Sequence, residues 1–309
     1  MRDNPTVVVV GAAALDTKGM ASSTPIYGIA VPGKIKVSPG GVARNIAENL
    51  ARLGVHSILL TVIGSDHAGK QIVEQAKESG IDISRVEIIK GERTASYMAI
   101  LDQDGAPLAS VYDMKIMEHL TPQYIRRNRR LIAKADMVII DANVPPESIE
   151  EIIAITSKHS IPVCADPTSS DLAGRLIPFL SDLYLVTPNE AEAEILSGKR
   201  VEGRESAILA AKELVARGVK IAVITMAEMG VSYATASASG HVPAIKVDVV
   251  DFTGAGDALT AGTAFGLLSD FPIDEAIRIG VAAATLTLRC EETVCPDISL
   301  EKVYEGLII

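Results

Sequence analysis

Thr6-Val7-Val8-Val9-Val10-Gly11 reads as a strand that is apolar on both faces and stopped by a glycine. A strand with one wet face alternates polar and apolar residues. A continuous β-branched run marks a strand covered on both sides, as in a parallel sheet. The same grammar repeats outward from it. Gly41–Leu53 carries Val42, Ile46, Leu50 and Leu53 on one helical face. His56–Ile63 reads as a strand, and Ala68–Ser79 as a helix ending at Gly80. Beyond these, the pattern predicts strands over 137–141, 162–166, 183–187 and 221–225, and helices over 146–159, 190–197, 205–217, 255–269 and 273–288. Alternating strands and helices with apolar strands imply the α/β class. The expected architecture is a doubly wound, mostly parallel sheet with helices on both faces. Its ligand crevice is expected at the carboxyl ends of the strands.

Residues 26–37 and 94–112 break the alternation. Both look strand-like but less buried, and the second contains Asp102-Gln103-Asp104-Gly105, a hairpin turn signal. They are expected to form a small β lid over the crevice. No repeat or flexible linker interrupts the 309 residues, so residues 1–309 read as one domain with the lid strands inserted.

Composition narrows the function. Apolar residues are 48% and charged residues 22%, the balance of a soluble globular chain. Lys plus Arg is 29 against 39 Asp plus Glu, a net charge of −10, which argues against nucleic acid or an anionic membrane as partner. No stretch approaches the ~20 apolar residues of a membrane span. The apolar run near the N-terminus is too short for a signal segment. Cys164, Cys290 and Cys295 are odd in number and lack zinc spacing, so free thiols in a reducing cytoplasm are expected.

Five motifs are candidates for chemistry. Gly64-Ser65-Asp66-His67-Ala68-Gly69-Lys70-Gln71 nearly matches a phosphate loop, but Gln71 stands where a hydroxyl should hold Mg²⁺. It reads as a strand-to-helix turn with Asp66 as N-cap. Asp16, just past the first strand, is a carboxylate able to accept hydrogen bonds from paired hydroxyls. Gly40-Gly41 before a helix lets backbone amides reach a ligand, with Asn45 in the first turn. Asn189-Glu190-Ala191-Glu192 starts a helix with acidic residues; it reads either as capping or as a site organising hydrated Mg²⁺.

The most informative motif is Asp251-Phe252-Thr253-Gly254-Ala255-Gly256-Asp257. Its small residues expose consecutive N–H groups at a helix N-terminus, which makes an anion hole. Asp257 sits at the edge, placed to take a proton from a hydroxyl. An anion hole beside a carboxylate is what phosphoryl transfer to an alcohol needs.

Taken in order along the whole chain, these motifs resemble the ribokinase-like carbohydrate kinases of the phosphofructokinase-B family. The resemblance implies Asp257 as catalytic base and Gly254, Ala255 and Gly256 as the anion hole. It implies Asp16, Gly40, Gly41, Asn45 and Asn143 around the acceptor, and Asn189, Glu192, Thr225 and Gly256 around ATP. Glu192 would hold Mg²⁺ through water. Asp251 and Thr253 match a loop that binds a monovalent cation such as K⁺ in many members, with Thr287 and Cys290 as weaker candidates. Three positions depart from the family pattern: Ala14 for Asn, Ala227 for Gly and Phe252 for a small hydroxyl residue. Within the family, Pro32–Lys36, Pro39–Ala47, Thr94–Tyr97 and Cys290-Glu291 are similar to the subgroup that phosphorylates pseudouridine. The lid groups Lys36, Ser96 and Tyr97 are then expected near a pyrimidine edge. Small-molecule sugars or nucleosides are the expected partners, with a homodimer formed through the lid. The competing readings are a kinase of ribose, fructose or adenosine, and a binding-only sensor on the same fold.

Overall fold

The computed structural model describes residues 5–25, 28–103 and 107–307. Its strands are β1 (Thr6–Val10), β2 (Ala14–Ala21), β3 (Gly33–Gly40), β4 (His56–Leu60), β5 (Val62–Gly64), β6 (Glu87–Ile89) and β7 (Ala95–Leu101). Then follow β8 (Pro107–Asp113), β9 (Met137–Asp141), β10 (Val163–Asp166), β11 (Leu185–Val186), β12 (Ile221–Thr225), β13 (Val231–Thr235) and β14 (Ser239–Val242).

The central sheet has the order β14-β13-β12-β11-β10-β9-β1-β4. The strands from β4 through β12 pair in parallel, and β13 and β14 close the edge antiparallel. Val7 to Val10 are fully buried because helices cover both faces. One apolar core lies on the side of Val8 and Val10, the other on the side of Val7 and Val9. Strand order reverses beside β1, between β4 and β9, which opens a crevice at the carboxyl ends. Gly11 ends β1 there at φ 151°; a Cβ on it would lie 2.3 Å from the Asp141 carboxyl carbon, so the strand end needs glycine.

A separate four-stranded sheet, β3-β2-β7-β8, stands over this crevice. Its strand β2 lies outside the two segments expected to form the lid, and it places Asp16 in the lid itself. Ala14–Ala21 mixes charges and glycine with apolar residues, so its periodicity is weak, yet it pairs along its length with β3 and β7. Residues 28–32 are not strand: Gly28 has φ 76° and Pro32 has no N–H for a ladder. Residues 26 and 27, and Asp104-Gly105 of the turn signal, lie outside the described residues. The expected strand 56–63 divides at Thr61. Beyond it Val62–Gly64 leaves the central sheet and pairs with Glu87–Ile89. Gly64–Gln71 is a turn in which the Asp66 carboxylate accepts from Gly69 N–H, capping the helix His67–Glu78. Among the described residues no helix is long and apolar enough to cross a membrane.

Candidate active site

Two cavities meet at the start of the helix Ala255–Leu268. The first, about 490 Å³, is walled by Asp16, Gly41, Asn45 and Asn143, with Tyr97 and Tyr112 from the lid and Asp257 at its end. The second, about 690 Å³, is walled by Asn189, Thr225, Ala255 and Gly256 with apolar side chains such as Leu259, Val281 and Leu288. Gly254 caps the helix at φ 83°, and no side chain caps it. Its first N–H groups therefore have no intrahelical acceptor and remain free for an anion.

Asp257 is buried, and Asn45 Nδ2 donates to its Oδ2 at 2.7 Å. Burial, reinforced by the charge of Asp166, pushes its carboxyl well above the ordinary range. Arg44 Nη1 donates to Asn45 Oδ1 at 2.7 Å, which fixes the amide so that its NH₂ faces Asp257. Arg44 is itself held by Glu48, and Glu48 also accepts from Arg52, Gln75 and Ser79. This support was not read from the sequence; the i, i+4 spacing of Arg44, Glu48 and Arg52 was its available signal.

Asp16 is 7% exposed and points into the first cavity. Burial pushes its carboxyl up to about 6, against the lowering charges of Lys18 and Arg44. Gly40 lies directly against it: a Cβ there would be 2.1 Å from Asp16 Oδ2. Gly41, at φ 94°, packs on the backbone of Ala12 to Ala14 and starts the helix that carries Asn45.

Asp141 and Asp166, at the ends of β9 and β10, were not assigned from the sequence, although acidic residues at parallel strand ends were a usable signal. Asp141 Oδ2 accepts from Ala12 N–H at 2.8 Å and Ala43 N–H at 3.0 Å, tying the ends of β1 and β9 to the Gly40-Gly41 turn. Asp166 is pushed up to about 7, first by burial and then by the charge of Glu192. Asn189 and Glu192 form a reciprocal capping box, with Asn189 N–H donating to Glu192 Oε2 at 2.9 Å and Glu192 N–H to Asn189 Oδ1 at 2.9 Å. Capping and the acidic site thus use the same residues. Two neighbouring buried carboxylates are an uncompensated negative patch, the donor set a hydrated Mg²⁺ suits. Among the described residues no cluster of three His, Cys, Asp or Glu could hold a bare metal ion.

Three expectations need correction. Ser96 is exposed on the outer face of the lid. Asp16 pairs with Tyr97 and Leu15 with Ser96, and since a strand alternates faces, Tyr97 looks into the cavity and Ser96 away from it. Asp251 and Thr253 do not offer free oxygens to a K⁺ ion. Lys18 Nζ donates to Asp251 Oδ2 at 2.6 Å and to Thr253 Oγ1 at 2.5 Å. Lys36 also turns from the cavity, donating to Glu291 O at 2.6 Å and Glu292 Oε1 at 3.1 Å. Thr287 bonds the carbonyl of Ala283 within its own helix.

With this geometry in place, residues 4–298 match the model of the pfkB family carbohydrate kinases. The chain belongs to that family. It is a phosphotransferase acting on an alcohol group. It is 35% identical over 304 residues to the pseudouridine kinase of Escherichia coli strain K12, covering 98% of this chain and 96% of that protein. It is similar to a carbohydrate kinase from Agrobacterium tumefaciens, with a TM-score of 0.83, 29% identity and coverage of 98% and 97%. It shares its fold with Arabidopsis thaliana ribokinase solved with ribose and ATP, at a TM-score of 0.88 and 23% identity over 99% of both chains.

Proposed function

We propose that this kinase transfers the terminal phosphoryl group of ATP to the 5′-hydroxyl of a ribose-containing nucleoside, pseudouridine foremost. One observation carries the reading. Three consecutive residues at one helix start face two cavities: Ala255 and Gly256 the second, Asp257 the first. A phosphoryl donor in one cavity and an alcohol in the other would meet at that point.

Asp257 accepts the hydroxyl proton as the alcohol oxygen attacks. The free N–H groups of residues 255–257 hold the charge that develops on the transferred group. Asp16 and Asn45 hold the 2′- and 3′-hydroxyls, with Gly40 leaving room for the Asp16 carboxylate and Gly41 and Asn143 lining the same cavity. Asn189 and Thr225 line the nucleotide cavity. Glu192 and Asp166 would hold Mg²⁺ through its waters, and that ion would supply positive charge at the phosphate oxygens. The lid covers the acceptor and excludes water.

Similarity to pseudouridine kinase supports the choice of base. So does the apolar wall of Tyr97, Met114, Leu172 and Phe252, which suits a flat ring. Three free cysteines favour the cytoplasm. The exposed outer face of the lid, with Ile35 78%, Val111 65% and Met98 50% accessible, favours a second copy of the chain packed on it. Light scattering should then give a dimer, and a monomer would reject the pairing.

ATP consumption measured with pseudouridine, uridine, ribose, fructose and adenosine tests the acceptor. Pseudouridine should lead in kcat/KM by at least about tenfold, roughly one good polar contact to the base. A preference for ribose or fructose would reject the acceptor and leave the kinase chemistry standing.

A further inference from the structure

Lys18 lies on β2, two residues after Asp16, so both side chains project from the same face of the lid. From there its ammonium crosses to the loop before the phosphate-facing helix, ending between Asp251 Oδ2 and Thr253 Oγ1. The pair is sheltered, with side chains 12% and 25% exposed. The same loop is folded on itself, Thr253 N–H donating to Asp251 Oδ1 at 2.8 Å. Gly254 and the helix carrying Asp257 follow directly. A part-buried carboxylate beside an anion site requires a counter-charge, because an unpaired charge away from water is costly. These residues therefore do not fit the mobile K⁺ that the family resemblance implies, since a covalently attached ammonium already sits on the same oxygens.

We infer that Lys18 is a built-in cation, replacing a dissociable monovalent ion at the loop that positions the anion hole. Lysine is suited to this, as a compact point charge with three donors on a flexible stem. Tethering removes the dependence on ion concentration, because the counter-charge arrives with the strand. The strand that grips the acceptor through Asp16 thus also sets the loop before Gly254. Lys18 also lines the first cavity, but its ammonium is held on the loop, so its role is that of a positioning residue.

The inference rests on the kinase activity of the family and not on the acceptor, so any acceptor that supports turnover serves the test. Rates are measured for the wild type and Lys18→Met at equal ionic strength. The salts are KCl, NH₄Cl and tetramethylammonium chloride, the last cation being too large to sit between two side-chain oxygens. The wild-type rate should differ by less than about twofold among them. Lys18→Met should lose about tenfold or more in tetramethylammonium chloride, the scale of a charge-assisted hydrogen bond, and regain much of it in KCl or NH₄Cl. Its melting temperature should also rise in KCl relative to tetramethylammonium chloride, while that of the wild type should not. Strong K⁺ activation of the wild type would overturn the inference. So would a Lys18→Met enzyme that is fully active without K⁺, or impaired equally in all three salts. Should Lys18→Met fail to fold, Lys18→Met/Asp251→Asn leaves no charge unpaired and should be insensitive to K⁺; activation of that double variant by K⁺ would overturn the inference equally.

Discussion

Gly254→Ala and Gly256→Ala lie two residues apart and should fail in opposite ways. Gly254 has φ 83°, and a Cβ on it would stand 1.9 Å from the carbonyl oxygen of Thr293, a backbone atom that cannot swing aside. The left-handed conformation costs alanine about 1 kcal/mol. Forcing packed backbone apart adds about 1–3 kcal/mol. Unfolding entropy for a chain of this length is about 0.65 kcal/mol per kelvin, so Gly254→Ala should lower Tm by about 3–6 °C. At Gly256 a Cβ would meet nothing within 4 Å. Alanine there is the better helix former by up to about 1 kcal/mol, so Tm should hold or rise slightly. Yet Gly256 lines the cavity proposed for the nucleotide, where its new methyl group would stand off the phosphoryl group. A misplacement of about 1 Å at a reacting group can cost ~10²-fold in rate. Scanning fluorimetry and a coupled ATP assay on both variants separate the effects. Gly256→Ala with the wild-type kcat/KM for ATP would refute the claim that this helix start receives phosphate. An unchanged Tm for Gly254→Ala would refute the close contact with Thr293.

Three further predictions follow from named side chains. Asp16 titrates at about 6 in the fold against 3.8 unfolded, so its charge opposes folding as pH rises through that window and costs on the order of 3 kcal/mol above it. Asp16→Asn should therefore raise Tm at neutral pH, with the gain fading toward about pH 4 where the wild-type carboxyl is already protonated. The same variant should lower kcat/KM for the nucleoside, and a 2′-deoxy acceptor should be poor for the wild type; equal turnover of the deoxy analogue would remove Asp16 from the acceptor site. Asp66→Ala should cost about 1–2 kcal/mol in a melting curve, since its carboxylate caps one helix and accepts from Thr94 N–H at 2.9 Å. Lys70→Ala should leave the KM for ATP unchanged, and a large rise would restore the phosphate-loop reading of Gly64–Gln71.

The parallel sheet was legible because burial on both faces leaves an unambiguous mark: Thr6–Val10 and Met137–Asp141 are apolar almost throughout. The residues proposed around the acceptor and the phosphate stood out in the sequence because glycines and carboxylates mark a helix start directly. The lid was harder. Its strands cover a cavity on one face and lie open on the other, so β2 carries Asp16, Lys18 and Gly19 in place of a clean alternation. Without the register of β2 against β7, nothing tells whether Ser96 or Tyr97 looks inward. Lys18 was invisible for the same reason. Its partners lie 233 and 235 residues away, and only the folded chain brings them together. Asp141 and Asp166 read as ordinary strand ends until the fold placed them beside Asp257 and Glu192.

The central claim is that Asp257 is the base at the junction of the two cavities. It is tested most directly by the turnover of Asp257→Asn, with ATP and nucleoside affinities measured on the same preparation by calorimetry. General base catalysis contributes ~10²–10⁴-fold, so kcat should fall by that amount while both affinities stay within a few-fold. Burial and Asp166 raise the Asp257 carboxyl, so wild-type kcat should also fall on acidification while an ordinary carboxylate would still be ionised, and the residual rate of the variant should lose that limb. A variant with kcat within a few-fold of the wild type, and the same pH profile, would contradict the account.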